Sequence, residues 1–167
     1  MTVTTIETAE FLARERAAIV EAAETALARA HVRHYESAGE SEVHRRLEAL
    51  FDRLLVALSE RDLGPVVAYA QDVAEERFNA GYDLSEVQTA FNALEEAMWA
   101  RALTALDPSR LAESLGLVST ILGSGKDALA RRYVSLATNT HVPSLDLRAL
   151  FAGAEGRYLP ESVISAD

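Results

Sequence analysis

Histidine is the first side chain to weigh for chemistry in this sequence, and it occurs four times. His31 and His34 are three residues apart with Tyr35 beside them, so on a helix the two rings face one way. Imidazoles at that spacing could hold part of a metal site, or one could be an axial haem ligand. A di-iron carboxylate bundle needs Glu-x-x-His pairs. The residues three before His31, His34, His44 and His141 are Ala28, His31, Ser41 and Thr138, which removes that chemistry. The plainer expectation is imidazoles near a helix end, where a positive ring offsets the dipole. No metal and no cofactor are expected, and a haem or small-molecule pocket near His31 and His34 stands as the alternative.

Gly123-Ser-Gly-Lys126 has the look of a phosphate loop. That pattern needs Gly five residues before the Gly-Lys pair and Ser or Thr after it, and here those positions are Thr120 and Asp127. The run also falls inside an apolar-periodic helix and follows no strand. Its glycines are expected to let another helix come close, at about 1 kcal/mol each in helix propensity. Gln88, Asn92, Glu95 and Trp99 step by four, three and four, which makes a polar stripe beside an apolar one. A solvated face seldom carries the only Trp, so this stripe is a candidate ligand pocket or subunit contact. No Gly-x-Ser-x-Gly elbow occurs, and the carboxylates are spread along helix faces, so no enzyme is expected.

The elements that would carry these residues are all helical. Thr4 and Glu7 have capping-box spacing, and nothing from there to about Tyr35 breaks a helix, although a break near Arg14–Arg16 is conceivable. A second helix is expected from about Ser41 to Glu60, with Leu47, Leu50, Phe51, Leu54, Leu55 and Leu58 on one face. Asp62 and Pro65 open a third, which Gly81 stops. Asp83-Leu-Ser-Glu86 caps a fourth, with Leu84, Val87, Phe91, Leu94 and Met98 at seam spacing. Asp107-Pro108 starts a fifth that runs to about Ala137, with a stripe of Leu111, Leu115, Val118, Leu122 and Leu129. Asp146–Ala152 reads as one short further helix. No segment alternates with period two over a strand's length. The predicted fold is an all-α, single-domain bundle of about five main helices over residues 1–153, followed by a flexible tail at 154–167.

Composition agrees with that reading. The 167 residues suffice for one core. Sixteen basic against 26 acidic side chains give a net charge of −10, which argues against a nucleic-acid footprint or an anionic membrane surface. No cysteine is present, so disulfides, zinc ribbons and thiol nucleophiles are excluded. No apolar run reaches the roughly 20 residues of a spanning helix. The expectation is a cytoplasmic protein.

The runs Ala80–Trp99 and Leu115–Ala130, with Phe11-Leu12 and the Arg-His-Tyr35 segment, resemble the N-terminal sensor domain of the RsbR/RsbRD family, the stressosome co-antagonists of the kinase RsbT. The similarity covers most of residues 5–153. It implies a dimeric, all-helical input domain, globin-like but without haem, that feeds stress signals to a regulatory pathway. Full-length relatives continue into a STAS domain that the kinase phosphorylates. This chain ends soon after Gly153, so direct phospho-output is not expected. The resemblance therefore implies a non-enzymatic signalling domain that acts as a homodimer on a regulatory protein partner or an unknown small ligand. The first helix, whose apolar stripe is thin, and the Gln88/Asn92/Glu95/Trp99 stripe are the candidate contacts.

Overall fold

The computed structural model describes residues 3–30 and 39–141. Five helices account for nearly all of them: α1 Val3–Arg29, α2 Glu40–Glu60, α3 Gly64–Asn79, α4 Leu84–Ala105 and α5 Pro108–His141. Among the described residues there is no strand. His31, His34, Tyr35, the Asp146–Ala152 segment and the 154–167 tail lie outside the described residues.

The helix boundaries follow local chemistry. Asp83 and Glu86 form the expected capping box, with the Asp83 N–H donating to Glu86 Oε2 at 2.9 Å. Asp62 acts one residue early. Its Oδ1 accepts the Gly64 N–H at 2.8 Å, and the helix starts there with Pro65 in its first turn. Gly81, at φ 81°, takes the left-handed turn after α3. The helix α1 already begins at Val3, so position 4 lies inside it rather than at its N-cap.

The first helix has no break at Arg14–Arg16. Glu15 and Arg16 are instead drawn into contacts with neighbouring helices, while Arg14 stays on α1 beside Glu15 and the Phe11 ring. Arg16 pairs with Glu48 and, at 2.7 Å, with Asp52, and lies 5.3 Å over the Phe51 ring. Glu15 pairs with Arg101 of α4. The α1 stripe is covered within the monomer: Phe11, Leu12, Ile19, Val20, Ala23 and Leu27 are all buried, facing α4 and α2. The stripe is thin because alanine and threonine let these helices approach closely, and Thr8 bonds Ser114 of α5 at 2.8 Å in the interior. A second copy is not needed to cover α1.

Helices α1 and α2 run antiparallel, as the Arg16–Glu48 and Glu24–His44 pairs show. Helices α3 and α5 run parallel, since Glu75 reaches Arg132 while Val66 faces Gly125. Phe51, Leu54, Val66, Ala70, Phe91, Leu94, Leu122 and Leu129 form one shared core. Gly125 carries the close approach expected of the glycine pair. A Cβ there would sit 2.8 Å from Val66 Cγ1 and 2.9 Å from Phe91 Cε1, whereas at Gly123 it would meet nothing within 4 Å.

A polar knot closes one end of the core. The guanidiniums of Arg46 and Arg77 lie 5.8 and 5.2 Å from the Tyr82 ring, and Arg46 also donates to Tyr82 Oη at 3.2 Å. Arg45 and Arg46 hold the Glu42 carboxyl down at about 2. Tyr133 donates to the Tyr82 carbonyl at 3.2 Å, and burial pushes its phenol up to about 12. A raised phenol value means that the folded state keeps a proton the unfolded chain loses near pH 10. The stability contributed here is therefore whole below pH 10 and drains away as pH climbs towards 12. Followed at 295 nm, the Tyr133 phenolate should appear only at the alkaline end or with unfolding, and Tyr133→Phe should remove that late component.

Candidate interaction site on the fourth and fifth helices

Helix α4 places Gln88, Asn92, Glu95 and Trp99 on one flank, and Leu103 extends it by one more turn. The side chains differ sharply in surroundings. Glu95 retains only 15% exposure, because the neighbouring α5 meets both of its oxygens. Ser119 Oγ donates to Glu95 Oε1 at 2.8 Å, and Lys126 Nζ donates to Oε2 at 2.8 Å. The same ammonium reaches Asn92 Oδ1 at 3.1 Å. Gln88 is half-buried. Trp99 is 41% exposed and Leu103 60%, four residues apart, among the few large apolar side chains left open to water.

The stripe thus divides into a satisfied polar half and an open apolar half. Glu95 has a cation and a hydroxyl, so its charge is balanced and it is not a free base or a vacant ligand. Sequence reasoning missed Ser119 and Lys126. Lys126 is the only lysine in the chain and sits beside glycines that resemble a phosphate loop, which drew attention from its true neighbour. The usable signal was the short α4–α5 connection at 106–107, which folds α5 back along α4 and brings Lys126 opposite Glu95.

Of the four histidines, His44 is paired on the surface, 2.6 Å from Glu24 and 3.9 Å from Glu48. Among the described residues no three His, Asp or Glu side chains converge in the way a metal ion needs. No helix of the described residues is long and apolar enough to cross a membrane.

A protein-family model described as the RsbT co-antagonist protein rsbRD N-terminal domain matches residues 9–149. No curated protein matches the chain, and neither does any solved structure.

Proposed function

The chain belongs to the family of rsbRD N-terminal domains of RsbT co-antagonist proteins, and from that premise we propose that it is a cytoplasmic input module of a stressosome-type system. It works without catalysis, as a homodimer whose helix arrangement shifts when a regulatory protein or a ligand binds one arrangement better than another. The family is one of signalling regulators. The observation that carries the dimer is the open apolar half of the α4 flank, Trp99 with Leu103. Trp is favoured at protein contacts because one side chain supplies a large, rigid apolar surface. The charge of −10 supports an aqueous setting without nucleic acid.

Trp99 is also the built-in reporter, since no other Trp contributes to emission. On dilution from high to low micromolar concentration its fluorescence should move to longer wavelength as the pair separates and water reaches the indole. Emission that stays fixed across the whole range, with an unchanged mass, counts against pairing through this flank.

A further inference from the structure

Among the described residues Arg77 is the one charged side chain that the fold buries, at 5% exposure. A guanidinium taken out of water needs an opposing charge and acceptors for its N–H groups. Arg77 is poorly supplied with both. It pairs with Glu76, the preceding residue, at 3.3 Å, and that side chain is turned towards water. Its other contact is the face of the Tyr82 ring, 5.2 Å away, which accepts no ordinary hydrogen bond. Every side-chain nitrogen and oxygen sealed from water among the described residues has a hydrogen-bond partner. The N–H groups that Arg77 leaves over are therefore ones that a water-sized body can touch.

Arg77 borders a cavity of about 20 Å³ between α2, α3 and α4, whose walls are largely apolar, with Leu47, Val87 and Phe91 among them. Arg46 borders it as well. Its Nε donates to Glu42 and its Nη1 to Tyr82 Oη, which leaves Nη2 over. The charges around the cavity do not cancel. Arg45 and Arg46 share the carboxylate of Glu42, and Arg77 has only Glu76. Nearby acids are engaged elsewhere, Glu75 with Arg132 and Glu86 with the Asp83 N–H. One positive charge is thus left over at this end of the core, in a chain whose net charge is −10.

We propose that this cavity binds one monovalent anion of chloride or formate size, held by the spare N–H groups of Arg46 and Arg77. One negative charge completes the local balance, which a water molecule cannot do. The size follows from the space, since roughly 10–15 Å³ already admits a water and a tetrahedral oxyanion needs much more. Apolar walls strengthen the attraction, because little water screens it. The anion touches α2, α3 and α4 at once and so favours the arrangement that keeps them together. It is the small ligand that the proposed function leaves unnamed, and only its signalling consequence rests on that reading.

The test adds sodium chloride, nitrate or formate to the purified full chain at constant ionic strength. Sodium gluconate, whose anion exceeds the cavity, makes up the balance. Each small anion, at about ten times its dissociation constant, should raise the melting temperature by about 3–5 °C. Arg77→Gln keeps the length without the charge and should remove the rise. Ala90→Val narrows the cavity while leaving both arginines, and should weaken binding at least about tenfold even where Arg77→Gln does not fold. Crystals soaked in bromide should show an anomalous peak within about 3.5 Å of both guanidiniums. Neither readout depends on chain mass, so anion binding and pairing through Trp99 fail separately. Three results overturn the proposal. Gluconate or sulfate stabilises as much as the small anions, both variants keep the full rise, or bromide binds in the crystal with no rise in solution, an adventitious ion only.

Discussion

A valine at position 125 should lower the free energy of unfolding by about 3 kcal/mol or more, at the upper end of overpacking effects. The Cβ alone would lie under 3 Å from Val66 and from the Phe91 ring. Neither neighbour can step aside: Val66 is stiff at χ1 and fully buried, and Phe91 is locked in the core. The gain in helix propensity from replacing glycine is only about 0.4 kcal/mol for valine, too little to offset the clash. Urea denaturation should show a lower midpoint with an unchanged slope. Shrinking the ring with Phe91→Leu should make the valine less costly, giving a coupling of about 0.5–3 kcal/mol in a double-mutant cycle. The control lies two residues away, because Gly123 faces open space and Gly123→Ala should stabilise by up to about 1 kcal/mol. Equal effects at 123 and 125 would contradict the packing described for α5.

The second large effect concerns association rather than stability. Changing both Trp99→Lys and Leu103→Lys should weaken pairing about 1000-fold, the sum of two contacts worth about 2 kcal/mol each at the centre of an interface. Trp99 is 41% and Leu103 60% exposed within the monomer, so the single chain should lose about 1–3 kcal/mol of stability and still melt cooperatively. Sedimentation equilibrium reads the first quantity and calorimetry the second. Loss of pairing together with a collapsed melting temperature would mean that these residues hold the fold instead.

How much of this was legible beforehand varied with the kind of signal. The capping box at Asp83–Glu86, the Pro108 start and the Gly81 stop are local devices, written in adjacent residues, and the structure uses all three. The apolar stripes of α2, α4 and α5 repeat often enough to place their buried faces. The first helix misled, because its small residues read as a weak stripe when they are in fact the surface for close packing on α2 and α4. Charged residues at Arg14–Arg16 read as a break for the same reason: the partners of Glu15 and Arg16, which are Arg101, Glu48 and Asp52, lie far away in sequence. Long-range pairing also hid the Glu95–Lys126 contact, which depends on which helix lies next to α5, and periodicity within one segment carries no information about that.

Pairing of two chains through the α4 flank is the feature on which the proposed signalling depends most. Light scattering coupled to gel filtration, on the full chain at micromolar concentration, addresses it directly. A mass of about twice the 18.1 kDa of one chain, reduced to the single-chain value by the Trp99→Lys and Leu103→Lys changes, is the predicted result. A single-chain mass for the wild type, or a double mass that both substitutions leave untouched, would contradict it.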